Sequence, residues 1–306
     1  LAVSLLAMGD YKNGWTAYEN RWQYEHLAGT LPKYDQPRWT GQDVKDKIVL
    51  IQGEQGHGDN IQFIRFALDL KKLGARVKLK VTDGLIPLLK DSDILEIVCG
   101  YNDDPGKFDY WVPIMSIPGV LGITLENLPK SVNYLTSGMQ EQQVWLQRLG
   151  PKTKMRVGFS WSGRRDAWLN QHKGMPFEVM CDFIQANPQY EWINLQVDAL
   201  PEEEEKLASI GVTRYPGAVS SFADTAALMM HLDVVISVDT AVAHLAGALG
   251  RPTWIALNWF ATDWRWLLQR EDSPWYPSAR LFRQPAQDDW ASVTKKMSQY
   301  LSWFKV

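Results

Sequence analysis

Cysteine is scarce in this 306-residue chain: Cys99 and Cys181 are the only two, and they stand far apart. That spacing excludes a disulfide framework and a cysteine-based metal motif and fits a reducing compartment, the cytoplasm. Both are read as buried thiols. An excess of charge is missing as well. A formal net charge of −3 gives no electrostatic reason to expect nucleic acid or an anionic membrane as a partner. No apolar run approaches the roughly 20 residues of a membrane span, and the N-terminus has neither the charged region nor the cleavage site of a secretory signal. The chain opens on Leu1 inside a helical pattern, so it is read as a fragment of something longer. Two nucleotide signatures are absent: the Gly-Lys-Ser/Thr of a P-loop, and the third glycine of the dinucleotide fingerprint. The ATP-loop and nicotinamide readings therefore fall.

What is present is a globular composition, 45% apolar and 22% charged, enough for roughly two domains. Ile48-Val49-Leu50-Ile51 is a continuous apolar run of strand length, as expected of a parallel strand covered on both faces. A helix beginning near Asn60 and an alternating strand through Val77, Leu79 and Val81 follow, with short strands at 96–99 and 109–113. The order recurs after Gly150-Pro151, with strands at 157–161, 192–196, 234–238 and 254–257 and helices at 177–186, 202–210, 225–231 and 241–249. This alternation predicts two doubly wound α/β domains, 48–150 and 151–287, and a closing helix in 288–306. Pro201 followed by Glu202 to Glu205 suits a helix start and is assigned no chemistry.

Ahead of these domains, residues 1–24 read as two short helices hinged at Gly9-Asp10, loosely like the end of a tetratricopeptide repeat. A single such unit cannot bury its own apolar face, which implies more repeats upstream. An ordinary helical hairpin docked on the following domain is the alternative. Residues 25–47, polar and carrying Pro32 and Pro37, read as a surface linker.

The most informative stretch is Ser237-Val238-Asp239-Thr240-Ala241-Val242-Ala243-His244, an apolar strand turning directly into a small-residue helix. A helix start leaves four amide hydrogens without internal partners and carries about half a positive charge, so an anion is stabilised there. His244 lies one turn beyond Thr240 on the same face. Alternatively, Asp239 or Thr240 merely caps the helix and His244 packs on the sheet. The first strand ends in a second candidate, Gln52-Gly53-Glu54-Gln55-Gly56-His57-Gly58-Asp59-Asn60, a glycine-rich loop at the carboxyl end of a parallel strand, where α/β proteins bind ligands. Taken locally, Asp59 reads as a helix cap rather than a base.

These residues also carry a family resemblance. Gly53 to Asp59 with Ile61-Gln62-Phe63, Val157-Gly158-Phe159-Ser160-Trp161-Ser162-Gly163, Asp224-Thr225-Ala226-Ala227, Val238 to Leu245, and Asp263-Trp264-Arg265-Trp266 through Trp275-Tyr276-Pro277 resemble bacterial tetratricopeptide-linked glycosyltransferases. They are similar to the ADP-heptose lipopolysaccharide heptosyltransferases and, more remotely, to protein O-GlcNAc transferases. The resemblance runs from about Trp39 to the end of the chain. It implies a GT-B architecture, two Rossmann-like domains facing across a cleft, with the sugar nucleotide held mainly by the second and the acceptor by the first. It implies no metal or other cofactor, a nucleotide-diphosphate sugar as co-substrate, and inversion at the anomeric centre. It makes Asp59 the candidate general base, against the local reading. It places Asp239, Thr240, Ala241 and His244 along the nucleotide, with Lys173 as the nearest match to a diphosphate-binding lysine, although Arg164 to Trp168 depart from the usual loop. Ser160 and Gln196, at two strand ends, are further nucleotide contacts.

Asp91-Ser92-Asp93 matches the Asp-x-Asp element of metal-dependent glycosyltransferases but lies before a strand, not after one, and is not taken as a metal site. Of the aromatic residues between 254 and 276, most are expected to be packing residues. Trp259, Phe260 and Asp263, which follow a strand end, are loop or acceptor candidates, as are Gln55 and His57. The sequence thus predicts a cytoplasmic glycosyltransferase with a protein or glycan acceptor, recruited by upstream repeats. The alternative is a catalytically inactive, repeat-linked scaffold that binds a nucleotide or a protein.

Overall fold

The computed structural model describes residues 1–306 except 25–26, 91, 131–132, 164–172, 216, 261 and 305–306. The chain forms two compact units. The first comprises Leu1–Ser131 and Trp264–Gln269, the second Val132–Asp263 and Arg270–Val306. Gly150-Pro151 lies inside the second unit, at the end of a helix, Met139–Leu149, that follows no apolar stripe obvious in the sequence.

In the first unit β1 (Ile48–Gln52), β2 (Arg76–Val81), β3 (Ile97–Gly100) and β4 (Tyr110–Pro113) form a parallel sheet in the order β3-β2-β1-β4. The apolar run of β1 is interior to the sheet, and Val49, Leu50 and Ile51 are fully buried. The chain moves outward from β1 to β3, then returns to the other side of β1 as β4. The order therefore reverses between β1 and β4, the kind of switch point at whose carboxyl ends α/β sheets bind ligands. The helix after β1 is broken into α3 (His57–Phe63), a 3₁₀ turn and α4 (Ala67–Lys72).

The N-terminal helices α1 (Ala2–Ala7) and α2 (Tyr11–Tyr18) belong to this unit. Gly14 permits their contact, because a Cβ there would lie 2.6 Å from Leu6 Cδ2. Trp15 is buried, its indole N–H donates 2.9 Å to the Ile123 carbonyl, and its ring meets Phe63 and Trp264 edge-on. The apolar face of the hairpin is thus covered by the unit's own residues, the docked arrangement. Nor is 25–47 merely a surface crossing: Trp39 and Val44 are buried, and the Trp39 amide donates to the Trp111 carbonyl in β4.

In the second unit, β5 (Arg156–Ser160), β6 (Glu191–Asn194), β7 (Val234–Val238), β8 (Thr253–Leu257) and β9 (Ala279–Arg283) form a parallel sheet ordered β6-β5-β7-β8-β9. Here the order reverses between β5 and β7. Every residue of β5, β7 and β8 is buried, which explains their unbroken apolar character. Met180, Phe183, Ile184, Trp290, Val293, Met297 and Leu301, from helices Phe177–Gln185 and Trp290–Trp303, close one core. No described helix is long and apolar enough to cross a membrane.

Candidate functional site

In the second unit the loops leaving β5 and β7 carry most of the predicted residues. Ser160 and Ser237 are register neighbours at the two strand ends. Ser160 Oγ donates to Gln196 Oε1 at 2.7 Å, and the Ser162 amide donates to the same oxygen at 3.2 Å. The Gln196 amide in turn donates to Asn194 Oδ1, and its side-chain nitrogen to Asp198. Ser160 and Gln196, expected as separate nucleotide contacts, are thus hydrogen-bonded to each other.

Beyond β7, Thr240 is the N-cap of helix Ala241–Ala248 by its extended backbone, yet its hydroxyl makes no capping bond and lies 3.0 Å from Ser237 Oγ. Ala241 is the first helical residue. Asp239 does not cap either: its carboxylate accepts from Lys173 Nζ at 2.7 Å, and the lysine also approaches Asp263 Oδ2 at 3.8 Å. The Lys173 and Asp239 side chains are only 11% and 7% exposed. His244 turns its Nε2 to within 3.9 Å of Asp239 Oδ1, and its Nδ1 is 2.9 Å from the Tyr276 hydroxyl. Lys173, Asp239, Asp263 and His244 thus form one cluster beside a helix start, where a cation and free-ended amide hydrogens can take an anion. Arg164 to Trp168, whose departure from the expected loop was noted, lie outside the described residues, as does Asp91. Asp93, described, offers its carbonyl to Lys71.

Tyr276 was not singled out as a site residue. It is buried, and Gly247 explains its position: a Cβ there would lie 2.5 to 2.9 Å from three ring atoms of Tyr276. Trp254, Trp264, Trp266 and Trp275 are buried packing residues as expected, whereas Trp259 and Phe260 are 59% and 66% exposed after β8. The Trp259 amide is held by Gln284 Oε1.

In the first unit the glycine-rich loop after β1 is fixed from within. Gly53 lies so close to Asn60 Oδ1 and the Lys80 carbonyl, 2.5 and 2.8 Å from where a Cβ would sit, that only glycine fits. Asn60, fully buried, donates to the Glu54 and Gly56 carbonyls and accepts the Glu54 amide. The helix begins three residues earlier than expected, at His57, with Gly56 as N-cap. Asp59 is then the third helical residue, and one of its oxygens accepts the Gly56 amide at 2.8 Å. The other accepts from the Arg265 guanidinium. The Asp59 side chain remains 21% exposed. Gln55 takes a positive φ of 58° and donates from its side chain to the Tyr18 hydroxyl; His57 lies against Gly84.

Sequence reasoning missed the neighbouring ion-pair network. Buried Glu54 accepts two parallel bonds from Arg21, at 2.8 and 2.9 Å, and the Met115 amide at 3.0 Å. Arg21 also reaches Ser116 and Glu19, and Arg38 joins both of those. Burial disfavours the charged forms, but Glu54 and Glu19 more than offset it at Arg21, whose pKa is raised. Burial is likewise outweighed at Glu19 by Arg21, Ser116 and Arg38, which hold that carboxyl below its usual range. No local pattern links Arg21 to Glu54, 33 positions apart. Burial pushes the Tyr18 hydroxyl up to about 12.

These geometries can be set beside known proteins. Residues 218–297 match the model of glycosyltransferase family 9 (heptosyltransferase). That stretch contains Asp239, Thr240, His244, Asp263 and Tyr276. Protein FlbA of Caulobacter vibrioides is 29% identical over 333 residues, covering 99% of this chain and 54% of that protein. The chain therefore spans about half the length of this curated relative. Among solved structures, a family 9 glycosyl transferase of Veillonella parvula aligns with TM-score 0.59 and 11% identity over 85% of this chain and 92% of its own. The ADP-heptose lipopolysaccharide heptosyltransferase II of E. coli gives 0.58 and 12% over 84% and 99%. E. coli heptosyltransferase WaaC, solved with ADP-2-deoxy-2-fluoro heptose, gives 0.57 and 16% over 83% and 99%. At such identities these structures speak to the fold, which is that of family 9 enzymes. Family match and fold together support a glycosyltransferase.

Proposed function

We propose that this chain transfers a sugar, with inversion and without a metal, from a nucleotide-diphosphate donor to a hydroxyl of a protein or glycan acceptor. The observation that carries the reading is the Lys173, Asp239 and His244 cluster at the start of helix Ala241–Ala248, within the family 9 stretch for all but the lysine. Transfer needs negative charge stabilised on the departing diphosphate. Lys173 and the amide hydrogens of that helix start supply fixed positive ends where the charge develops. It also needs a base on the acceptor hydroxyl, the role we give Asp59, whose exposed portion can accept a proton while its bonds to the Gly56 amide and the Arg265 guanidinium fix its orientation; a positioned base typically contributes 10² to 10⁴-fold. Ser160 and Gln196 then face the nucleoside, and Trp259 and Phe260 offer exposed rings to a sugar. Acceptor recruitment by upstream repeats, and a cytoplasmic setting, belong to the same proposal.

The test is release of nucleoside diphosphate from a panel of ADP-, UDP-, GDP- and CMP-linked sugars, ADP-heptose included, in excess EDTA. CMP release is followed for the last class. One donor is expected to turn over slowly with water standing in for the acceptor hydroxyl, and Asp59→Asn to lower that turnover at least 100-fold with donor affinity retained. An unchanged rate in Asp59→Asn removes Asp59 from the mechanism.

A further inference from the structure

We infer that Arg265 is a positioning residue for Asp59, keeping its carboxylate ionised and aimed. This rests on the reading of Asp59 as the base. Although encoded between β8 and β9, Arg265 lies in the segment Trp264–Gln269 that packs as part of the first unit. Its side chain is 5% exposed, and its guanidinium carbon lies 4.5 Å from the Trp264 ring centroid and 5.4 Å from that of Phe63. Nη2 donates to Asp59 Oδ1 and Nε to Gln62 Oε1.

Gln62 adds an independent observation. It is fully buried, and its amide nitrogen has no hydrogen-bond partner among the described residues. A buried donor left unsatisfied is rare and unfavourable. Its carbonyl is nonetheless turned to the guanidinium, because the flipped amide would set donor against donor. The arginine thus dictates the orientation of its neighbours. A guanidinium packed over two rings and hydrogen-bonded through both Nε and Nη2 is held in orientation, and so is the carboxylate facing it. Opposite charge at hydrogen-bond distance also favours the ionised carboxylate, the form a base must have. Among the described residues, titratable groups near Asp59 include Tyr18 on α2, whose phenol feels both Arg265 and Asp59, His57 on α3, and the paired Glu54 and Arg21.

The experiment is a pH titration of aspartate side-chain carbons by NMR in the full chain, with Asp59 assigned by its loss in Asp59→Asn. It needs no ligand. Arg265→Gln is expected to move the Asp59 midpoint up by about 1 pH unit or more. Arg265→Lys, which keeps the charge and is the fallback if Gln fails to fold, should recover over half of that shift while losing the bond to Gln62. A packing role alone would lower stability and leave the midpoint in place. An unmoved midpoint in a folded Arg265→Gln overturns the inference whether or not Asp59→Asn is inactive. In a folded Arg265→Lys alone, a midpoint raised as far as an isolated surface aspartate does the same. A moved midpoint with Asp59→Asn still fully active sinks the base reading and the inference with it. A moved midpoint with Asp59→Asn inactive supports both.

Discussion

Gly247→Ala should damage the second unit's site through Tyr276 alone. The new methyl would lie 2.5, 2.6 and 2.9 Å from Cδ1, Cγ and Cε1 of the Tyr276 ring, well inside ordinary contact. These are atoms at the ring's base, on a side chain that is 1% exposed, so the ring cannot swing into solvent. Relief requires a shift of roughly 1 Å, and overpacking of this kind costs about 1 to 3 kcal/mol. Replacing glycine by alanine within a helix returns about 1 kcal/mol. The net loss is then about 0 to 2 kcal/mol, which alone would be an ordinary core lesion. The distinguishing consequence is at His244, whose Nδ1 is 2.9 Å from the Tyr276 hydroxyl. Movement of the ring breaks or bends that bond and releases the imidazole facing Asp239. Gly247→Ala should therefore weaken binding of the cognate nucleotide, read by calorimetry, at a temperature where circular dichroism shows it folded. Tyr276→Phe, which removes the hydroxyl without a clash, should weaken it in the same direction. A Gly247→Ala protein as stable as the parent and with unchanged affinity would refute the reasoning.

Two further predictions concern the first unit. Arg21→Ala leaves Glu54 buried without its charge partner and should cost about 3 to 5 kcal/mol in urea unfolding, whereas the pair Arg21→Met with Glu54→Leu should cost clearly less. Stability should also fall in alkali. Burial raises the Tyr18 hydroxyl from its ordinary value near 10 to about 12, so its contribution is fully present below about pH 10 and is lost as pH rises toward 12. Unfolding free energies at pH 9 and 11 should converge in Tyr18→Phe relative to the parent; an identical alkaline loss in both excludes Tyr18 as a source.

Most of the strands were legible because buried parallel strands must be continuously apolar: Val234–Val238 falls where the run predicts, and β1 extends its run by one residue. The junction after Val238 was legible for the same reason, since an apolar strand meeting a small-residue helix leaves little doubt about where the turn falls. The apolar face of the helix after β1 is continuous in the sequence and gives no sign of the 3₁₀ turn that interrupts it at Ile64–Phe66. β9, whose outer residues Arg280 and Arg283 are partly exposed at the sheet edge, carries no clean apolar run and went unread. Side-chain partnerships between distant segments were the least legible. Arg265 is 206 positions from Asp59 and Arg21 33 from Glu54, and no spacing rule connects them. Asp59, expected locally as a cap ahead of the helix, is instead its third residue, bonding the Gly56 amide from inside the first turn and standing partly open to solvent.

The most direct test of the nucleotide-diphosphate site is thermal stabilisation by ADP, UDP, GDP and CMP in excess EDTA, on the parent chain and on Lys173→Ala. A ligand at about 100 times its dissociation constant adds about 2.7 kcal/mol. The account predicts that one nucleoside diphosphate raises the melting temperature of the parent without metal and that Lys173→Ala loses most of the rise. No stabilisation of the parent by any of them, or equal stabilisation of both proteins, would contradict it.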